Sequence, residues 1–108
     1  MELVKRFSIW LVNLNPTQGS EISKTRPCVV ISPDVVNKSL NTVLVAPLTS
    51  TIKKYPTRVH SMLQGREGQI ALDQIRAVDK SRLNKQLGEL DTQTSKEVCT
   101  VLQELFAW

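Results

Sequence analysis

Gly19-Ser20-Glu21-Ile22-Ser23-Lys24-Thr25-Arg26-Pro27 runs directly into Cys28-Val29-Val30-Ile31. A polar, charged loop delivers an arginine to the mouth of an apolar strand. Proline lacks an N–H, which a strand tolerates at its first position or along an edge. It also biases the residue before it, Arg26, toward extended backbone angles. The guanidinium is thereby held beside rigid structure, where its planar fork can grip a phosphate or a carboxylate. The strand itself is expected from Cys28 to Ser32, with Pro33-Asp34 ending it.

Two further segments line up behind this one. Val43-Leu44-Val45-Ala46-Pro47-Leu48 is a near-continuous apolar run that reads as a strand buried on both faces and ends in Thr49-Ser50-Thr51. Gly68-Gln69-Ile70-Ala71-Leu72-Asp73-Gln74-Ile75-Arg76 reads as a strand with Asp73, Gln74 and Arg76 at its far end. An arginine and a hydroxyl cluster at neighbouring strand ends can converge on one bound anion. The opposing account has Arg26 ion-paired to Glu21 and Thr49 satisfying a turn.

Around this centre the pattern is mostly strand. Ser8 to Asn13 and Thr57 to Leu63 are expected strands, Gln64 to Gly68 a hairpin connection with two glycines, and Lys85 to Leu90 a last short strand. Asn15 to Thr25 is a long polar loop turning at Gly19, and loops of that length are usually functional or mobile. The C-terminal segment is helical: Val98, Val101, Leu102, Leu105 and Phe106 form one apolar stripe. Thr94 with Glu97 makes a capping box, with Asp91 an alternative cap one turn earlier. Several strands and one terminal helix give an α+β domain, one helix covering one sheet face. At 108 residues the chain is expected to be a single domain.

Composition narrows the partners. The formal net charge is +4, which favours polyanions or an acidic partner. Lys53-Lys54-Arg58 and Arg76-Lys80-Arg82-Lys85 are basic clusters, each by itself read as solvated surface. Two cysteines make no disulfide framework. Cys28 in a strand and Cys99 on a helix are expected as buried free thiols of a reducing compartment. The apolar run after Lys5-Arg6 is short and has no cleavage site after it, so it reads as a first strand, and the protein as cytoplasmic. No segment reads as spanning a membrane. Asp73 has no carboxylate or histidine partner at a ligand spacing, so no metal is expected. His60, the one histidine, sits on a half-exposed strand and is read as structural or solvent-facing; Trp10 is read as core.

Taken in order, Ile9-Trp10-Leu11-Val12, Pro16-Thr17-Gln18-Gly19-Ser20-Glu21, Thr25-Arg26-Pro27, Val45-Ala46-Pro47-Leu48-Thr49-Ser50, Tyr55-Pro56-Thr57 and Leu72-Asp73-Gln74-Ile75-Arg76 resemble the MazF/PemK family, the mRNA-cleaving toxins of bacterial toxin–antitoxin pairs. The resemblance covers nearly the whole chain. It implies a small, strongly bent antiparallel SH3-like β-barrel with short helices and a C-terminal helix. It implies a metal-independent, sequence-selective endoribonuclease acting on single-stranded RNA, with no cofactor. It places catalysis at Arg26 and Thr49. Gly19, Ser20, Glu21, Ser50, Lys53, Asp73, Gln74 and Arg76 become candidate substrate contacts, with Asp73 and Gln74 suited to nucleobase edges. A homodimer and a cognate antitoxin with an acidic, partly disordered tail are also implied.

The chain departs from the family at several points. Phe7-Ser8 stands where many relatives have a glycine and an acidic residue, and Asn15-Pro16 where Asp-Pro is common. Some relatives pair a carboxylate at the Asp73 position with an arginine two residues earlier, here Ala71; their loop histidine is here Ser20. Two other readings stay open. One is a CcdB-like toxin that binds DNA gyrase through its C-terminal residues, invited by Phe106-Ala107-Trp108. The other is a degenerate member that only binds RNA or an antitoxin.

Overall fold

The computed structural model describes residues 3–108. Seven strands run β1 (Ser8–Asn13), β2 (Thr25–Val30), β3 (Thr42–Thr49), β4 (Arg58–Leu63), β5 (Arg66–Ala71), β6 (Arg76–Asp79) and β7 (Leu83–Glu89). Helix α1 (Asp34–Ser39) lies between β2 and β3, and helix α2 (Thr92–Leu105) closes the chain. Every ladder is antiparallel, in the order β4-β5-β3-β2-β1-β7, with β6 also on β3. The result is the bent antiparallel α+β architecture anticipated above, and the Asp34 to Leu40 segment, which the sequence leaves open as a turn or a short helix, is helical.

The bend centres on β3. Its N-terminal half pairs with β6, from Thr42–Asp79 to Val45–Arg76. Its C-terminal end pairs with β5, at Leu48–Ile70 and Thr49–Gln69. Between these ladders the register moves by three residues, the length of the 3-10 turn Leu72–Gln74. Pro47 sits at the changeover, where no ladder bond is asked of its missing N–H on that side. The segment from β5 through the turn to β6 is thus one long strand, broken so that it can follow a folded β3.

Both sheet faces are covered by apolar side chains. Trp10, Val12, Cys28, Val30, Val43 and Val45 pack into one core, with Leu14, Val4 and Val78. Ile9, Val29, Ile31, Ala46, Leu48, Val59, Ile70, Leu72 and Val98 form the other. Alternation along β2 does this directly: Cys28 and Val30 face one way, Val29 and Ile31 the other. β3 is buried on both faces as expected from Val45 to Thr49, but Thr42 and Leu44 are exposed.

Several local expectations are corrected. β2 begins at Thr25 rather than Cys28, because Arg26 and Pro27 pair with Val12 and Leu11 of β1. Pro27 lies just before the β2–β3 ladder opens at Cys28–Pro47, so its lost donor costs nothing there. α2 is capped by Asp91, whose Oδ1 accepts the Thr94 N–H at 2.7 Å, in place of a Thr94–Glu97 box. The apolar stripe of α2 is buried at Val98 and half-buried at Val101 and Leu102, but Leu105 and Phe106 run past the sheet into solvent. The β4–β5 connection is a two-residue turn, Gln64-Gly65, with φ of 51° and 79°. Both residues in the left-handed region mark the turn whose twist matches a hairpin.

Candidate active site

Arg26 and Thr49 line one open groove of about 490 Å3, together with Pro27, Leu48 and Ser50. The ladder explains the meeting. Cys28 stands opposite Pro47; two residues outward along each strand are Arg26 and Thr49. The half-buried Arg26 is fixed at its Nε, which donates to the Ser23 carbonyl at 3.0 Å. This leaves the two terminal nitrogens of the fork for a ligand. Thr49 is 8% exposed, and its Oγ1 accepts the Thr51 N–H at 3.2 Å. The hydroxyl proton of Thr49 is therefore available to donate into the groove. The alternative pairing of Arg26 with Glu21 does not occur: Glu21 Oε1 accepts the Gln18 N–H at 2.6 Å, and the described residues contain no ion pair to Arg26.

The far wall of the groove comes from the β4–β5 hairpin, which sequence reasoning did not assign to the site. Ser61, Leu63, Gln64, Arg66, Glu67 and Gly68 line it. Period-two alternation was the available signal, since Ser61, Leu63, Arg66 and Gly68 share one hairpin face through the pairs Ser61–Gly68 and Leu63–Arg66.

Glu21, Asp73, Gln74 and Arg76 come together elsewhere, around a second cavity of about 270 Å3 that also touches Leu14 and Pro47. β3 borders both spaces, giving Pro47 to this one and Leu48 and Thr49 to the first. Gln74 accepts the Ile22 N–H at Oε1 (3.2 Å), and Arg76 Nη1 donates to the Leu14 carbonyl at 2.9 Å. Arg82 Nη1 reaches the carbonyls of Asn13 and Asn15. These bonds fasten the base of the 14–24 loop. Arg76 and Arg82 are thus structural ties, not the solvated charges expected from their cluster. Gly19 (φ 54°) and Ser20 sit at the exposed tip of the same loop.

Asp73 is already engaged. Arg58 Nε and Nη2 donate to its two oxygens at 2.8 and 3.3 Å, and Thr57 Oγ1 donates at 3.0 Å. Partial burial pushes its pKa up, but the bonds from Arg58, its own N–H and Thr57, with the Arg58 charge, outweigh this and hold the carboxyl below its ordinary range. Arg58 stands directly opposite Ala71 across the β4–β5 ladder. An arginine thus reaches Asp73 from the strand opposite Ala71. The Arg58 side chain is only 7% exposed, which overturns its reading as solvated surface.

Lys53 keeps an exposed side chain, but its backbone is held on both sides by the Gln69 carboxamide, at 3.1 and 3.0 Å. His60 is exposed and lies 3.1 Å from Glu67. Burial pushes the Cys28 thiol up to about 12, against the opposing pull of Arg26 and Arg76, so it is no nucleophile at neutral pH. Among the described residues no three His, Cys, Asp or Glu side chains are grouped to hold a metal ion. No helix among them is long and apolar enough to cross a membrane.

Known proteins share this fold. The family model of the PemK-like, MazF-like toxin of type II toxin–antitoxin systems matches residues 5–106. An endoribonuclease MazF of Staphylococcus saprophyticus is 36% identical over 102 residues, covering 89% of this chain and 85% of its own. A crystal structure of MazF from Deinococcus radiodurans matches with a TM-score of 0.86 at 28% identity, covering 100% of both chains. A MazE–MazF structure from that organism matches with a TM-score of 0.79 at 29% identity, over 97% of this chain and 96% of the other. With a two-faced sheet folded about β3, a matching family model over nearly its full length and a relative above one-third identity, the chain belongs to the PemK-like, MazF-like toxin family of type II toxin–antitoxin systems.

Proposed function

We propose that the protein is the toxin of a type II toxin–antitoxin pair and a sequence-selective endoribonuclease that cleaves single-stranded mRNA without a metal. The observation that carries this reading is the shared groove of Arg26 and Thr49, with the fork of Arg26 open at its terminal nitrogens. RNA brings its own nucleophile. The 2′-oxygen attacks the adjacent phosphorus and loses its proton, while the bond to the 5′-oxygen breaks and that oxygen gains a proton. The products are a 2′,3′-cyclic phosphate and a 5′-OH. Negative charge builds on the non-bridging oxygens along the way. A fixed guanidinium and a hydroxyl donor stabilise such charge well because they need no reorganisation when it appears. Arg26 takes the charge and Thr49, with Ser50 beside it, donates hydrogen bonds to the same phosphate. A guanidinium has no lone pair to accept a proton and stays charged in proteins, so Arg26 serves as an electrostatic partner and not as the base.

The remaining candidates fit a strand that extends beyond the groove. Glu21, Gln74 and Arg76 face the neighbouring cavity, where an unstacked base can be read by its edges. Gly19, Ser20 and Lys53 lie on the flanking loops. Asp73 acts chiefly through Arg58, as a brace for the turn that carries Gln74. The protein works in the cytoplasm as a homodimer. Its net charge of +4 suits an antitoxin whose acidic tail folds over these grooves.

The test uses a long single-stranded RNA in excess EDTA, beside a copy with deoxyribose at the cleaved positions. Cleavage of the first alone, with a cyclic phosphate end, is the expected result. Loss of cleavage in EDTA, or equal cleavage of both, overturns the reading. One observation favours the CcdB-like alternative: Phe106 and Trp108 are strongly exposed at the chain end. Gyrase inhibition that disappears when Trp108 is deleted, together with intact RNA, would establish that reading instead.

A further inference from the structure

Arg66 occupies the opposite rim of the groove from Arg26, and the geometry points to it as a second phosphate-binding cation for the same RNA strand. This deepens the nuclease reading and rests on it. Three observations lead there. Arg66 and Arg26 line one space. Arg66 lies on the hairpin face that looks into that space, opposite Leu63 and in line with Gly68. It also has no acidic partner among the described residues, whose only ion pairs are Arg58–Asp73 and His60–Glu67. The carboxylate next to it, Glu67, also lines the groove, and it bonds sideways to the His60 ring at 3.1 Å and not to Arg66. Arg66 is exposed and immediately follows the tight Gln64-Gly65 turn, which fixes where its backbone leaves the hairpin.

The groove between the two arginines suits a nucleotide. Leu48, Leu63, Leu87 and Pro27 give it apolar surface, against which a ribose or a base face can lie. Cations on the two rims then take successive stretches of a phosphate backbone. The division of labour follows. Arg26, beside Thr49, meets the phosphate that reacts. Arg66 meets a phosphate that does not react and sets where the strand lies. A contact of this kind strengthens ground state and transition state alike, so it acts on KM more than on kcat. It carries no sequence information of its own.

The test is the salt dependence of binding to a 2′-O-methylated single-stranded oligomer, which lacks the nucleophile and is not cleaved. Each neutralised phosphate of a single strand contributes about 0.7 to the slope of log K against log salt. Arg66→Gln is expected to make the slope shallower by about 0.7 and to weaken binding about fivefold at 0.1 M salt. The loss should be the same for oligomers of different sequence, and Arg66→Lys should restore the slope. On cleavable RNA, Arg66→Gln should raise KM by a similar factor. A slope unmoved by Arg66→Gln, in a variant with unchanged thermal unfolding, overturns the inference while leaving the nuclease reading in place. A wild type that binds with an Arg66-dependent slope but never cleaves leaves the inference standing and removes the nuclease.

Discussion

Gly68 lays its bare Cα against the main-chain carbonyl of Thr49: a Cβ at position 68 would stand 2.8 Å from that oxygen. The neighbour is backbone and cannot swing aside, so any side chain here must push β3 away from β5 at the residue expected to touch phosphate. Gly68→Ala is therefore predicted to cost about 1–3 kcal/mol, as overpacking of a closed contact does. A misplaced Thr49 hydroxyl can lower turnover by up to about a hundredfold. Urea unfolding and single-turnover cleavage measure the two effects. A variant as stable and as active as wild type would mean that this contact does not hold Thr49.

Arg26 and Thr49 should be separable from the fold. Arg26 is half-buried and bonded only through Nε to the Ser23 carbonyl, so Arg26→Ala leaves both cores untouched. The variant should lose detectable cleavage and keep its oligomeric state. Thr49→Val keeps shape and removes the hydroxyl; losing one donor to a developing oxyanion costs about 10²–10³ in kcat. Wild-type turnover in Arg26→Ala would contradict the assignment of this groove as the reacting centre.

The convergence of Arg26 with Thr49 was legible because it depends on strand ends. A proline-started strand and an apolar run ending in hydroxyls are local patterns, and an antiparallel pair brings such ends together. The partners of the other basic residues were not legible. Arg58 finds Asp73 across a ladder, and Arg82 finds the carbonyls of Asn13 and Asn15 from far along the chain. Nothing near Arg58 or Arg82 in sequence distinguishes a brace from a solvated charge. The fold of β3 was hidden for a related reason. Its apolar run reads as one strand, and only the three-residue register change opposite it reveals the bend. Arg66 escaped notice because hairpin alternation was read for burial and not for what the other face overhangs.

The Arg58–Asp73 pair gives an acid-side prediction. The Asp73 carboxyl is held below its ordinary value of 3.8 in the folded protein. A lowered folded pKa contributes stability that is present above the unfolded pKa and is lost as pH falls through the folded value. Asp73→Asn should therefore be less stable than wild type at neutral pH, and the difference should shrink as pH drops below about 4. Thermal unfolding of both proteins across that range checks this. Constant separation at all pH values would show that the pair contributes by shape and not by charge.

Cys28 gives the opposite sign at the alkaline end. Its thiol is completely buried, and its pKa is raised from 9.0 to about 12. Between those values the unfolded chain releases this proton and the native chain keeps it. Fewer protons on the unfolded state make stability fall with rising pH, by at most about 1.4 kcal/mol per pH unit for one group. Cys28→Ala removes the group from both states. The variant begins less stable, because a buried side chain has been cut back, but its stability should decline less steeply above pH 9. Every other side chain is common to both proteins, so the difference between the two curves isolates Cys28. Urea midpoints measured in steps from pH 8 to about 11 would show the curves converging; parallel curves would mean that the unfolded chain does not gain the thiolate that burial denies the native strand.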